Sequence, residues 1–175
     1  MENTVAESFT MPVRITIRSC TEADLPNLEW FGMFTEHREI IRRAFDRQAA
    51  GETAMLVADA NGFPVGQVWI DYARKPEEGC ALLWAVRVMP PFQRTGIGAR
   101  LVGAAERHIR GRAVPWAEVG VERHNAMARR FYERLGYRFV GTLSESYSYT
   151  TPEGVPMTVP LDGWIFRKEV GAHSR

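Results

Sequence analysis

Residues 80–110 constrain the fold of this chain more than any other stretch. An apolar run, Cys80-Ala81-Leu82-Leu83-Trp84-Ala85-Val86, leads through Arg87 and Val88 to Pro90-Pro91, and Gln93-Arg94-Thr95-Gly96-Ile97-Gly98 follows. The run reads as a strand over 80–89, and the prolines, which cannot donate to a ladder, end it. Beyond the glycines, Ile97, Leu101, Ala104, Ala105 and Ile109 fall on one face of a helix over 96–110. A strand, a tight turn and a helix must therefore follow in immediate succession. Gly96 and Gly98 remove Cβ atoms where the backbone turns. They also leave the unpaired amides and positive dipole end of the helix open to an anion such as phosphate.

The remaining segments fit around that unit. Residues 1–12 form a loose tail, and 13–18 alternate apolar and polar with the period of a half-buried strand. Thr21-Glu22-Ala23-Asp24 starts a helix, with Thr21 as cap and Asp24 suited to the positive helix end. A second helix over 35–49 places Ile40, Ile41, Ala44 and Phe45 on one face and stops at Gly51. Strands over 54–58 and 63–70 are joined through Asn61-Gly62, a strong hairpin signal. A strand over 116–121 and a helix over 126–135 follow, the latter carrying Ala128, Phe131, Tyr132 and Leu135 at core spacing and ending at Gly136. A strand starts at 137–140, residues 150–160 read as a long Pro-, Gly- and Thr-rich loop, and 164–169 form the last strand. The expected architecture is one α/β (α+β) domain over 13–170, a mixed sheet flanked by helices, with 171–175 as a tail.

Bulk properties exclude several classes. A net charge of +1 over 175 residues argues against a dedicated nucleic-acid binder. The polar, acidic N-terminus lacks the order of a signal peptide, and no apolar run approaches the length of a membrane span, so the expected setting is cytoplasmic and free of membrane. Cys20 and Cys80 have no metal spacing and are expected as free thiols. His37, His108, His124 and His173 likewise lack metal spacing, and each reads as surface or structural. The glycine turn does not complete a dinucleotide fingerprint, because Leu101 stands where a third small residue is needed. Gly98-Ala99-Arg100 is not a Walker A ending.

The combination Val86-Arg87-Val88-x-Pro90-x-x-Gln93-Arg94-x-Gly96-Ile97-Gly98 resembles motif A of the GNAT superfamily of acyl-CoA-dependent N-acetyltransferases. Some 27 residues past Gly98, Asn125-Ala126-x-Ala128-x-x-Phe131-Tyr132-x-x-Leu135-Gly136-Tyr137 resembles its motif B. The resemblance runs from Val13 to Val170 and is strongest over 84–140. It implies a mostly antiparallel GNAT-like sheet whose fourth and fifth strands splay apart. It also implies acetyl-CoA as cosubstrate, with main-chain amides of Arg94 to Ala99 (Gln93 alongside, then Arg94, Thr95, Gly96, Ile97, Gly98 and Ala99) around the pyrophosphate. Main-chain groups of Val86 and Val88 would pair with the pantetheine arm, and the Val88 amide would polarise the thioester carbonyl.

Asn125 and Tyr132 lie seven residues apart, nearly two turns, so they share a helix face about 10 Å in length. Asn125 serves as an N-cap with or without a ligand, and the shared face would line the cofactor channel, with Asn125 near the pantetheine amide and Tyr132 near the sulfur. In the resembled family the tyrosine at the Tyr132 position protonates the departing thiolate. Many members carry an acidic residue on the strand equivalent to 80–89; here that strand has no carboxylate. Glu118 and Glu78 remain as candidate bases, Glu118 on the next strand being the tentative choice. No nucleophile motif is present, so direct transfer to a small-molecule or peptide amine in a ternary complex is expected. Tyr72 and Trp84 are the aromatics expected to flank the acceptor cleft. No metal and no nucleic acid are expected, and the superfamily is compatible with a homodimer. A silent acyl-CoA-binding module and a nucleotide-binding domain stay open as other classes.

Overall fold

Asn61 and Gly62 both adopt positive φ, 53° and 87°, closing the two-residue hairpin that their identity demands. This hairpin joins β2 (Thr53–Ala60) to β3 (Phe63–Lys75) in a computed structural model describing residues 6–171. The other strands are β1 (Ile15–Ser19), β4 (Cys80–Val88), β5 (Trp116–Glu122), β6 (Arg138–Thr150) and β7 (Pro156–Glu169). They form one seven-stranded sheet in the order β1-β2-β3-β4-β5-β7-β6. Every pairing is antiparallel except β4 with β5, which are parallel and joined by the crossover helix α2 (Ile97–Gly111). The mixed, mostly antiparallel sheet flanked by helices is the architecture the sequence implies.

The helices cover both faces of the sheet. On one, Ile97, Leu101, Val102, Ala105 and Ile109 of α2 pack with Leu56, Ala58, Val68, Ile70 and Leu83, and Tyr132 of α3 (Ala126–Arg134) joins them. On the other, Met55, Val57 and Trp69 are covered by Leu25, Leu28, Ile40, Ile41 and Ala44. Strand β2 is buried on both sides, which is why it reads as continuous apolar sequence and not as an alternation. Burying each Leu or Ile contributes about 1.5–3 kcal/mol.

The early helices are shorter and tighter than expected. Residues Glu22–Glu29 form a 3-10 helix containing Pro26, and Thr35–His37 form another before α1 (Arg38–Asp46). Thr21 caps this helix as expected, in a capping box where Asp24 in return accepts from both the amide and the hydroxyl of Thr21, at 2.7 and 2.9 Å. Arg18 then clamps Asp24 at 2.7 Å and Asp59 at 2.6 Å.

The largest correction concerns residues 150–160. Only 151–155 are a turn; Pro156–Glu169 is one strand, pairing with β6 from Pro156 to Arg167. Pro156 and Pro160 are tolerated because β5 pairs β7 only from Gly163 onward, leaving the distal part a two-stranded ribbon with a free edge. The ribbon reaches α1, where Glu39 accepts from the Thr150 amide and Arg43 donates to Ser148 O. Gly163 cannot be larger: a Cβ there would lie 2.2 Å from Val121 O.

Candidate active site

Pairing between β4 and β5 runs only from Cys80–Trp116 to Leu83–Val119. Immediately beyond, Ala85 takes φ of 49°, and the β3–β4 register gains one residue between Trp84 and Arg87. This bulge bends β4 away from its neighbour. Residues 84–88 and 120–122 therefore diverge, and a gap opens in the sheet. Met89 donates to Val65 O at 2.8 Å, and Val88 pairs with Gly66. Bonded positions alternate along an antiparallel ladder, so the amide and carbonyl of Val88 point away from β3, into the gap. The Val86 side chain packs on the same face as that of Val88.

Above the gap, Pro90–Phe92 forms a single 3-10 turn, and Arg94 and Gly96 then adopt φ of 62° and 86°. Gly96 caps α2 without a side-chain hydrogen bond, and a Cβ built on it would meet nothing within 4 Å. The amides of Ile97, Gly98 and Ala99 have no carbonyl within the helix to bond. Gln93 Nε2 donates to Val88 O at 2.9 Å, and Thr95 Oγ1 donates to Phe92 O at 2.6 Å. These two side chains brace the turn, so what it presents outward is main chain.

Helix α3 closes this corner. Asn125 Oδ1 accepts from Ala128 N–H at 2.9 Å, the cap its identity calls for. A methyl placed on Gly98 would lie 3.5 Å from Phe131 Cζ and 3.8 Å from Val88 Cγ2, so strand, turn and helix meet at one point. Tyr132, next to Phe131, is 5% exposed and edge-on to Phe131 and Tyr137. Its hydroxyl makes no hydrogen bond among the described residues. Burial raises its pKa, which holds the phenol neutral.

The model of the Acetyltransferase (GNAT) family matches residues 21–137. The chain belongs to this family. It is 30% identical over 155 residues to a Methanocaldococcus jannaschii protein named as the uncharacterized N-acetyltransferase MJ1207, covering 78% of this chain and 66% of that one. It is 28% identical over 117 residues to the Bacillus subtilis uncharacterized N-acetyltransferase YhfO, covering 60% and 78%. The Salmonella typhimurium protein yncA, solved with its cofactor acetyl-CoA, shares the fold at a TM-score of 0.69 with 20% identity, over 93% of this chain and 97% of that one.

On the sheet face away from α2, the GNAT domain gathers a second set of groups. The bulge resets the side-chain alternation, so Trp84 and Arg87, three residues apart, point to the same face. Arg87 lies over the Phe34 ring, 4.1 Å from its centroid, and burial pulls its pKa below the ordinary guanidinium value. The His37 ring lies 6.0 Å from Phe34, 5.0 Å from Tyr149 and 6.5 Å from Tyr147. Burial first, then the Arg87 charge, hold the His37 pKa below its ordinary value, so the imidazole is neutral at pH 7. Sequence reading set His37 aside as structural or surface because it has no metal spacing, and two of its neighbours, Tyr147 and Tyr149, are distant in the chain. The signal for Arg87 was visible: it is the one charge in an otherwise apolar strand.

Three sequence-based candidates lie elsewhere. Glu118 is 2% exposed and accepts from Lys75 at 2.5 Å and Arg167 at 2.7 Å. Burial would raise its pKa, but these bonds outweigh it and the net shift is downward. It sits opposite Leu82, on the paired part of β4 and β5, with its lone pairs engaged. Glu78 is held by the same Arg167 at 2.8 Å. Both carboxylates are ion-pair partners, which removes the basis for Glu118 as a base. Tyr72 is also displaced: its hydroxyl lies 2.6 Å from His108 Nδ1, and Arg112 covers its ring at 4.2 Å. These partners lie at the far end of α2, about 18 Å (His108) and about 24 Å (Arg112) along the helix axis from Gly96. Trp84 alone of the two expected aromatics stays at the gap, edge-on to Trp69 at 4.6 Å.

Cys20 and Cys80 are buried free thiols, pushed up by burial to about 12 and about 11, so neither is a nucleophile near neutral pH. Among the described residues no cluster of His, Cys, Asp and Glu could hold a metal, and no helix is long and apolar enough to cross a membrane.

Proposed function

We propose that the chain is an N-acetyltransferase that moves the acetyl group of acetyl-CoA directly onto an amine held on the Arg87 side of the gap. The observation that carries this reading is the unpaired Val88 amide, exposed by the Ala85 bulge beneath an uncapped helix start. The fit to coenzyme A is supported by open space over Gly96 and by main-chain donors at the turn. Amides of Arg94 to Ala99 would hold the pyrophosphate, with Gln93 and Thr95 bracing them, and Val86 and Val88 would pair with the pantetheine arm. Asn125, its carbonyl already used by the cap, keeps its NH2 for a pantetheine amide.

In the proposed reaction the amine nitrogen attacks the thioester carbon while the Val88 N–H donates to the carbonyl oxygen. The C–S bond breaks, and the thiolate takes the Tyr132 proton and leaves as free thiol. The proton lost by the nitrogen passes to neutral His37 and from there, through water, restores the phenol. An amide and a thiol are the products. A neutral phenol with no other partner suits the acid role, because its proton is committed to nothing else.

One observation favours a silent acyl-CoA-binding module instead: the carboxylates nearest the paired strands, Glu118 and Glu78, are tied up in ion pairs. Calorimetric titration with acetyl-CoA, ATP and NAD, followed by thiol-release assays on an amine panel, separates the readings. Selective acetyl-CoA binding with amine-dependent thiol release supports the transferase. Binding without release on any amine supports the module, and tighter binding of ATP or NAD sinks both.

A further inference from the structure

The floor of the acceptor side has hydrogen-bond donors but lacks matching acceptors. Gln67 is 0% exposed and stands directly across the β3–β4 ladder from Arg87. Its Oε1 accepts from Trp69 Nε1 at 2.8 Å, which fixes the amide orientation and leaves Nε2 as a buried donor with no partner. Trp84, paired across the ladder with Trp69, has a buried Nε1–H with no partner either. On the same face is Arg87, whose guanidinium carries five N–H donors and, among the described residues, makes no ion pair or hydrogen bond. Its contacts are the Phe34 face and the field of Tyr147.

Buried polar groups are almost always paired, and a cation left without an anion is the costlier case. Elsewhere this chain follows that rule: Arg18, Arg47, Arg167 and Lys168 all meet carboxylates. Arg87 is the exception, and the strand bulge aims it at the acceptor side. Arg87 is half-buried, its guanidinium nitrogens are not among the fully buried unpaired atoms, and it has no carboxylate beside it, so it calls for an oxyanion from outside the chain; the buried Gln67 Nε2 and Trp84 Nε1 show that this floor offers it no acceptor of its own. The surrounding rings of Phe34, Tyr147 and Tyr149 call for an apolar or aromatic body beside it.

We propose that the acceptor is a small amine that also carries a carboxylate, bound through Arg87 beside Gln67 and the Trp84 indole, and with an apolar side group against the rings. The proposal rests on the transferase reading and narrows its substrate class to amino-acid-like molecules. A plain alkylamine or an unmodified protein N-terminus would leave the Arg87 charge unpaired.

The test compares matched pairs, L-phenylalanine with phenethylamine and L-tyrosine with tyramine, by thiol release at saturating acetyl-CoA. In parallel, the indole N–H resonance of Trp84, assigned through Trp84→Phe, is followed during titration with N-acetyl-L-phenylalanine and with neutral N-acetylphenethylamine. The proposal expects kcat/KM to favour the carboxylate member about 10- to 100-fold, the discrimination of one charge-assisted hydrogen-bonded contact. Arg87→Met should bring that ratio close to one, and Arg87→Lys should restore part of it. In the titration only the carboxylate compound should move the Trp84 resonance, and Arg87→Met should abolish the shift. Equal or reversed preference in the natural protein, or a ratio unchanged in Arg87→Met, overturns the proposal. If no amine in the set is turned over, the resonance titration decides alone, and an unmoved Trp84 signal overturns it. Failure to bind acetyl-CoA would instead overturn the transferase reading, while the titration still reports on the anion site.

Discussion

Replacing Tyr132 by Phe removes one oxygen atom and leaves the ring contacts with Phe131 and Tyr137 in place. The structure sets the effect on folding. The hydroxyl belongs to a residue 5% exposed and has no hydrogen-bond partner among the described residues, so no protein contact is lost with it. The oxygen is not among the fully buried unpaired side-chain atoms, so it keeps some solvent contact, and the variant should be about as stable as the parent. The effect on catalysis runs the other way. General acid catalysis contributes roughly 10²–10⁴-fold, equivalent to about 3–5 kcal/mol at the barrier. Tyr132→Phe should therefore lower kcat at least about 100-fold, with unchanged acetyl-CoA affinity and a Tm close to the parent's. The assay is steady-state thiol release beside calorimetric acetyl-CoA binding and thermal melting. A kcat within threefold of the parent, with binding intact, would refute the assignment of Tyr132 as acid. A large fall in Tm would refute the claim that its hydroxyl has no structural role.

Glu118→Gln should lower stability by about 2 kcal/mol, or roughly 4–8 °C in Tm, by breaking its bonds to Lys75 and Arg167, while kcat of the folded protein holds within twofold; a large kcat loss at unchanged Tm would restore Glu118 as a base. Gly96→Ala places a side chain at φ of 86°, costing about 1–2 kcal/mol, and should raise KM for acetyl-CoA tenfold or more with little change in kcat; an unaltered KM would move the pyrophosphate elsewhere. His37→Gln should cut kcat about 10- to 100-fold and remove an acid limb that the parent shows below pH 6.5, where its depressed pKa lies; a pH profile identical to the parent's would exclude His37 as proton acceptor. Asp24, held by Arg18 and lowered from 3.8 to about 2, favours the ionised form in the fold, so its contribution is complete above pH 3.8 and lost as pH falls through 2. Chemical denaturation should show about 2 kcal/mol disappearing across that window, and Asp24→Asn should flatten it.

Local signals in the chain identify most elements because the physics there is local. Asn61-Gly62 fixes a hairpin by φ alone, Pro90-Pro91 ends a strand, and the spacing of Ile97, Leu101, Ala105 and Ile109 selects the helix face. The ribbon over 144–162 escaped notice because its stability comes from pairing with its own other half and from docking on α1, not from an apolar stripe. The gap was legible only through family resemblance. Its physical cause, a positive φ at Ala85, belongs to a residue type that gives no warning of it. The acceptor side was harder still. Phe34, His37, Gln67, Arg87 and Tyr147 come from four separate segments, and only the three-dimensional fold brings them together. Tyr72 was misplaced for the same reason: an aromatic residue near the end of β3 can face either side, and the strand carried it to His108.

The central claim is direct acetyl transfer from a thioester at the Val88 edge to an amine. Carbonyl-labelled 13C-acetyl-CoA, mixed in equimolar amount with the protein and an excess of candidate amines, tests it in a single turnover followed by NMR. The account predicts that the thioester carbonyl signal is replaced by that of a free amide, with no acetylated protein along the way. A thioester signal that persists in the bound state with every amine, or an acetyl group that moves first onto a protein side chain, would contradict it.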